Sequence, residues 1–136
     1  MADVLTREMR SRLMSRIRGS DTKPELIIRS MIRRMKLGYR QNYSGLPGKP
    51  DIVLIALKRA IFVHGCFWHR HGDCLRASLP ASNRPFWRKK FSRNVKRDRE
   101  NVLALRRLGW RVLIAWECET RHPDRLNRRI ARFLNR

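Results

Sequence analysis

The sequence predicts a small mixed α/β domain, and three observations lead to this fold class. A chain of 136 residues is long enough to bury one hydrophobic core, so a single domain over 1–136 is expected. Its hydrophobic fraction of 42% is too high for a disordered basic tail. Helical and strand-like apolar patterns follow one another in the order helix, helix, hairpin, irregular loop, helix, strand, helix.

The N-terminal segment is predicted to form a basic amphipathic helix over about 5–18. Apolar residues recur there at helical spacing from Leu5 to Ile17, and four of the arginines of this segment lie between or directly after them. These arginines are Arg10, Arg12, Arg16 and Arg18. We expect this helix to grip a polyanionic partner, and the residues of about 21–136 to form the core of the domain.

A second helix and a β-hairpin come next. Thr22 and Glu25 have the spacing of a capping box, which predicts the start of the helix, and Gly38 is placed to end it. Two apolar runs, 52–56 and 59–64, flank a short basic turn. They are predicted to pair as a buried hairpin.

The remaining regular elements are a short strand over 39–43 and a helix, strand and helix in the C-terminal half. A long basic helix is predicted from about Pro85 to Leu108, where Gly109 follows it. An apolar strand is predicted over 110–116. The last helix, from Pro123 to Asn135, carries an apolar stripe.

The charge of the chain points to a polyanionic partner. Lys and Arg number 33 against 11 Asp and Glu, which gives a formal net charge of +22. Most of the basic residues are Arg, whose planar guanidinium matches phosphate groups. Nucleic acid is therefore the first candidate, ahead of a membrane surface or an acidic protein.

Several classes of protein are excluded or disfavoured by the same sequence. It has no apolar run long enough to span a bilayer, and its N-terminus lacks the apolar segment of a secretory signal. Its three cysteines are an odd number, which fits a reduced compartment better than a disulfide framework. We expect a cytoplasmic, nucleoid-associated protein that acts as a monomer and has no membrane partner.

A cluster of potential zinc ligands lies between residues 64 and 74. Cys66, His71 and Cys74 have the spacing of a zinc knuckle, and Zn²⁺ prefers thiolate and imidazole ligands. Cys118 is the remaining cysteine and could supply a fourth ligand from the end of the late strand. The alternatives are three unrelated buried thiols or a fortuitous disulfide.

The same region offers groups for proton transfer and for a second metal. His64 and His69 form a pair of the kind that moves protons in hydrolases near neutral pH, although they could also bind metal or simply pack. Asp51 begins an apolar strand, and cross-strand pairing would bring Val63 and His64 beside it. Its carboxylate could hold Mg²⁺ or merely cap the preceding turn. Glu25 has two uses in the same way, since it could serve the site or only close the capping box with Thr22.

Aromatic residues interrupt the basic segments in two places. Phe67 and Trp68 lie inside the ligand cluster, and Phe86 and Trp87 open the long basic helix. Large aromatic side chains in such surroundings suit wedging between base steps or stacking on an exposed base. The second pair could instead anchor the helix on the core. The basic residues between 88 and 99 form a stripe that could contact phosphates.

The sequence resembles the very-short-patch-repair (Vsr) mismatch endonucleases over nearly its whole length. The most specific match is the string Phe62-Val-His64-Gly-Cys-Phe-Trp-His69, followed at a distance by Trp116-Glu-Cys118. Other matching stretches are Arg10-Ser-Arg-Leu-Met14-Ser-Arg-Ile, Asp21-Thr-Lys-Pro-Glu25, Leu46-Pro-Gly-Lys-Pro-Asp51, Phe86-Trp87, Asn94-Val-Lys-Arg-Asp98-Arg and Gly109-Trp-Arg-Val-Leu. The resemblance implies a restriction-endonuclease-like fold, a central mixed sheet flanked by helices with a structural zinc knuckle.

The resemblance also implies an activity, nicking of one DNA strand beside the thymine of a T·G mismatch that arises by deamination of 5-methylcytosine. By matching position, Asp51 would bind Mg²⁺ with the backbone carbonyl of Val63. His69 would be the general base, His64 would position water or phosphate, and Glu25 would act through metal-bound water. The implied structural zinc ligands are Cys66, His71, Cys74 and Cys118.

The implied DNA contacts come from several elements. Phe67, Trp68 and Trp87 would wedge into the duplex beside the mismatch, Met14 would approach from the opposite groove, and Lys90 and Asn94 would face the mismatched pair. The resemblance also suggests contact with mismatch-repair proteins. A sequence-specific nicking enzyme of the same fold and a non-catalytic zinc-containing DNA-binding protein are the alternative functions.

The sequence departs from the family at one point, and together with the family it departs from the restriction-type pattern at another. Gly72-Asp73 resembles a one-residue insertion between two of the zinc ligands, His71 and Cys74. Restriction-type folds carry a second acid and a lysine on the strand that follows the one begun by Asp51. Here, as in the family itself, that strand reads Ala60-Ile-Phe-Val-His64 and has neither.

Overall fold

The computed structural model describes residues 22–66 and 83–135 of the chain, which form three α-helices, two short 3-10 helices (Ile55–Leu57 and Glu117–Arg121) and four strands. The helices are α1 (Lys23–Arg34), α2 (Arg84–Arg107) and α3 (Pro123–Leu134). The strands are β1 (Arg40–Gln41), β2 (Ile52–Leu54), β3 (Arg59–His64) and β4 (Arg111–Trp116). The helix expected over 5–18 lies outside the described residues.

The four strands form one mixed sheet in the order β1-β2-β3-β4. The strands β1, β2 and β3 pair in antiparallel fashion, and the register Ile52↔Ile61 defines the hairpin that the two apolar runs predicted. Parallel pairing joins β3 to β4, with His64 opposite Trp116. Because α2 connects these two strands, the predicted mixed α/β class is confirmed.

Helices cover both faces of the sheet. On one face, α1 and α3 pack their apolar stripes onto Ile52, Ile61 and Leu113 in a continuous buried cluster. On the other face, Leu105 of α2 packs against Ala60 and Phe62. Side chains alternate between the two faces along each strand, which is why the strands read as nearly continuous apolar runs. None of the helices in these residues is long and apolar enough to cross a membrane.

Two helix and strand ends differ from the sequence-based predictions. The helix α1 ends at Arg34 rather than near Gly38, because Lys36 adopts a left-handed conformation with φ 59°. The Thr22 side chain makes no capping hydrogen bond, so this half of the predicted capping box is not formed. The strand β2 ends at Leu54, since residues 55–58 are needed to turn the chain into β3.

Glycine is required at one turn that precedes the hairpin. Gly48 has φ +78°, and a Cβ placed there would lie 2.8 Å from the Cβ atom of Asn101 in α2. We expect Gly48→Ala to lower the free energy of unfolding by about 2–3 kcal/mol, because it adds both backbone strain and overpacking. Urea titration monitored by circular dichroism measures this loss.

Gly109→Ala is the matched control for this prediction. Gly109 has φ +87°, but nothing lies within 4 Å of the added Cβ. Its replacement should therefore lose only the conformational part, about 1–2 kcal/mol. Equal losses at the two positions would show that contact with Asn101 contributes nothing.

Candidate active site

Asp51 is held across the hairpin by a short hydrogen bond. Its Oδ2 atom accepts from the backbone N–H of Val63 at 2.6 Å, and its own carbonyl accepts from the N–H of Asn42 at 2.9 Å. The carboxylate is therefore fixed at the carboxyl end of β3, as cross-strand pairing predicted.

The backbone carbonyl of Val63 faces the same side of β3 as Asp51. In an extended strand the N–H and C=O of one residue point toward the same neighbouring strand. The N–H of Val63 points at Asp51, so its carbonyl faces the same side of the strand. A half-buried carboxylate beside a backbone carbonyl is a donor set that suits a hard cation such as Mg²⁺.

His64 lies at the end of β3 and is buried against aromatic side chains. Its ring is 5% exposed and meets the Trp116 ring edge-on, with the centroids 5.2 Å apart. The centroid of the Phe62 ring lies 5.8 Å from that of the His64 ring. This packing fixes the orientation of the imidazole one residue beyond Val63.

Glu25 forms a buried ion pair within α1. Its Oε2 atom accepts a hydrogen bond from the Nη2 of Arg29 at 3.0 Å, and both side chains are less than a tenth exposed. The pairing follows from helical geometry, since residues four apart share a face. The ion pair thereby fixes the orientation of the buried carboxylate.

Cys66 and Cys118 lie beyond the carboxyl ends of two paired strands. Cys66 lies two residues after His64, and Cys118 lies two residues after Trp116, the partner of His64 in the sheet. Neither cysteine is in a disulfide. The Oε1 atom of Glu117 accepts a hydrogen bond from the backbone N–H of Cys66 at 3.3 Å, which joins the segments that follow β3 and β4. Both cysteines therefore lie at the same end of the sheet, where their side chains could bind one metal ion.

The N-terminal half of α2 presents two different faces. Trp87 and Phe91 are buried with their rings stacked at 5.4 Å, and Lys90 and Asn94 lie half-buried along the same face. The opposite face is exposed and basic. Phe86, in edge contact with the Trp87 ring, is 52% exposed.

Six residues of the sequence-based site lie outside the described residues. They are Met14, Phe67, Trp68, His69, His71 and Cys74. Within residues 22–66 and 83–135, no group of three or more His, Cys, Asp or Glu side chains could hold a metal ion.

Three positioning residues were not found from the sequence. Arg29 could have been found from its spacing of four from Glu25. Glu117 stands within the Trp-Glu-Cys string but carries no signal of its contact with Cys66. Glu119 accepts a hydrogen bond from the Trp116 N–H at 2.9 Å and pairs with Arg129 at 2.7 Å, which only tertiary structure reveals.

Comparison with known proteins identifies the class to which this domain belongs. A family model described as "DNA mismatch endonuclease Vsr" matches residues 2–76, which is more than half of the chain. The chain belongs to the Vsr family of DNA endonucleases.

Individual relatives agree with this assignment over most of the chain. The chain is 42% identical to the DNA mismatch endonuclease Vsr of Escherichia coli, covering 93% of this chain and 80% of the relative. It is 39% identical to the type II nicking enzyme V.NmeAIP of Neisseria meningitidis, covering 94% of both chains. It is 38% identical to the type II nicking enzyme V.XorIIP of Xanthomonas oryzae, covering 99% and 98%.

Proposed function

We propose that this protein nicks one strand of duplex DNA beside the thymine of a T·G mismatch, in a reaction that requires Mg²⁺. The observation that carries the proposal is the 2.6 Å hydrogen bond that fixes the carboxylate of Asp51 beside Val63. Membership of the Vsr family and the 42% identity to a mismatch endonuclease support it.

Each polar residue of the site has a separate role in this proposal. Asp51 and the carbonyl of Val63 would hold Mg²⁺, which stabilises negative charge on the scissile phosphate when bound. His64 would orient the phosphate or the attacking water from its fixed position against Trp116. Glu25, held by Arg29, would accept a hydrogen bond from a metal-bound water.

The general base in the proposal is His69, which lies outside the described residues. It would take a proton from the attacking water, so that hydroxide forms only next to the phosphate. Because the resemblance supplies this role, it is tested by substitution of His69 rather than by the geometry of the site.

Recognition of the mismatch would come from α2 and the aromatic wedge. Lys90 and Asn94 would face the mismatched pair, with Phe67, Trp68 and Met14 entering the stack nearby. A T·G pair is easier to deform than a matched pair, so wedging favours it through the cost of deformation. Trp87 is 5% exposed, so its participation requires its stack with Phe91 to open on DNA.

A second candidate is a nicking enzyme that recognises a sequence instead of a mismatch. Two of the relatives are described as type II nicking enzymes, which favours this reading. The catalytic residues would be the same, and only the feature of DNA that triggers cleavage would differ.

Nicking of end-labelled duplexes in Mg²⁺ tests these alternatives. The substrates are a duplex with one T·G pair, the same duplex with a matched C·G pair, and the T·G pair placed in several different flanking sequences. Mismatch-dependent nicking beside the thymine supports the proposal. Nicking of the matched duplex at a fixed sequence contradicts it in favour of the second candidate.

Binding without cleavage would give a different answer. Tight mismatch binding with no nick in Mg²⁺ or Mn²⁺ would contradict the proposal and assign the chain to non-catalytic DNA-binding proteins. The presence of Asp51 and His64 in ordered positions argues against that outcome.

We further propose that Cys66 and Cys118 share a structural zinc with His71 and Cys74. The support is the placement of the two cysteines just beyond the ends of paired strands, where the Glu117 side chain accepts a hydrogen bond from the N–H of Cys66. A closed site with four protein ligands would anchor the segment that follows β3 to the end of β4.

Replacing Cys118 by serine tests the zinc site. We expect about one zinc per chain in the unaltered protein, with less zinc and a lower melting temperature in Cys118→Ser, because metal binding stabilises the fold. Metal analysis and thermal unfolding measure both. His122→Ala, which removes an exposed histidine four residues later, should retain its zinc. Full zinc content in Cys118→Ser would contradict the assignment.

A further inference from the structure

An arginine-lined groove lies at the end of the sheet away from Asp51. It encloses about 620 Å³ between the end of α2, the start of β4 and the end of α3. The groove-lining residues are Arg106, Trp110, Arg111, Val112, Arg129, Arg132 and Phe133. Since β3 and β4 are parallel, Arg111 marks the opposite end of the sheet from Val63 and His64.

The floor of this groove is an edge strand. Among the described strands, β4 is the last of the sheet and pairs only with β3. The N–H of Arg111 donates to the carbonyl of Lys58, so it points inward toward β3. By the alternation of a strand, the backbone groups of Val112 and Ile114 point outward, away from the sheet.

The far end of the same edge is closed by a side chain. The outward N–H of Trp116 donates to Glu119 at 2.9 Å, and Arg129 holds Glu119 through both carboxylate oxygens. Among the described residues, the uncovered part of this edge is thereby limited to the start of β4, where the groove lies. Natural proteins protect edges from unwanted pairing in this way and leave open those they use.

The positive charge of the groove determines which kind of polypeptide could pair with β4. Arg106 stands on the α2 side and Arg132 on the α3 side, both exposed. A second copy of this chain, at a net charge of +22, would be repelled. An acidic strand would be attracted, and its apolar residues could contact Trp110, Val112 and Phe133.

We propose that this groove binds an extended acidic peptide segment of a partner protein, which adds to β4 as a fifth strand. Backbone hydrogen bonds to Val112 and Ile114 would give affinity, and the arginines on both sides would select carboxylates. The proposal is independent of the nicking reaction. A partner bound here would leave Asp51 and His64 uncovered.

A short synthetic peptide tests the groove directly. The probe is a fluorescent peptide of about eight residues made of glutamate and valine, titrated with the full chain at about 0.15 M salt. Its matched control carries N-methyl groups on alternate backbone amides, which abolish hydrogen bonding along one edge but keep the charge. We expect the methylated peptide to bind at least about tenfold more weakly.

Two charge variants separate the groove from the general basicity of the chain. Arg106→Glu combined with Arg132→Glu should weaken binding at least about tenfold. Arg125→Glu combined with Arg128→Glu makes the same change in net charge on an exposed part of α3 outside the groove. This pair should weaken binding less than about threefold, since distant surface charges are screened.

A proline in the edge strand examines the backbone contribution. Val112→Pro removes an N–H that points away from β3, so the pairing within the sheet is retained and the domain should stay folded. Peptide binding should fall about tenfold. If this variant does not fold, the methylated peptide and the two charge pairs decide the question.

Three results would overturn the proposal. Equal binding of the methylated peptide would exclude strand addition. Equal weakening by the two charge pairs would reduce the effect to net charge. Tighter binding of a single-stranded oligothymidylate at the same site, lost in the Arg106 and Arg132 variant, would assign the groove to nucleic acid.

Discussion

Replacing Asp51 by asparagine is expected to reduce the rate of Mg²⁺-dependent nicking by on the order of a thousandfold. The amide keeps the size of the side chain and can still accept the hydrogen bond from Val63, but it removes the negative charge that would hold the cation. Single-turnover nicking of a T·G duplex at saturating enzyme measures the loss, and thermal unfolding verifies that the variant is folded.

Asp124→Asn is the matched control. Asp124 is an exposed acid in the first turn of α3, so its replacement makes the same chemical change at a residue outside the hairpin. Its nicking rate should be unchanged, with a loss of stability of about 0.5 kcal/mol from the helix N-terminus. An Asp51→Asn protein that nicks at an undiminished rate would remove Asp51 from the metal site.

Replacing Arg29 by methionine is expected to lower the free energy of unfolding by about 3–5 kcal/mol. The change leaves the buried carboxylate of Glu25 without the Nη2 hydrogen bond that it accepts at 3.0 Å. Combining it with Glu25→Leu should recover most of the stability, because a buried apolar pair of similar volume carries no desolvation cost. Guanidinium unfolding of the single and double variants measures both.

The double variant also separates stability from activity. If Glu25 acts through metal-bound water, the double variant should be folded but defective in nicking. Arg33 lies on the same helix as Arg29 and makes only an exposed hydrogen bond to Tyr39 among the contacts described. Arg33→Met should therefore lower the free energy of unfolding by less than about 1 kcal/mol. If Arg29→Met is as stable as Arg33→Met, the ion pair of Arg29 with Glu25 does not stabilise the fold.

The hairpin and the long helix α2 could be predicted because local signals agree there. Two apolar runs around a basic turn specify β2 and β3, and Gly109 follows α2 in a left-handed conformation that few other residues adopt. The end of α1 could not be predicted in the same way. Lys36, not glycine, takes the left-handed position, and the packing of Leu37 and Tyr39 onto the core settles where the helix stops.

The candidate site was predictable where it depends on one strand or one hairpin. Asp51 beside Val63 follows from the turn and the strand period. The contacts of Glu117 and Glu119 depend on how the end of β4 folds back onto β3 and α3, so no local pattern reports them. The stack of Trp87 on Phe91 follows from their helical spacing of four, whereas the burial of Trp87 reflects tertiary packing.

The parallel pairing of β3 with β4 has a consequence for the order of folding. The hairpin that carries Asp51 is local in sequence and can form early, because closing a short loop costs little entropy. Cys66 and Glu117 are 51 residues apart, and His64 acquires Trp116 as its neighbour only when β4 is in place. We therefore expect a nascent chain to gain nicking activity only after β4 has emerged from the ribosome.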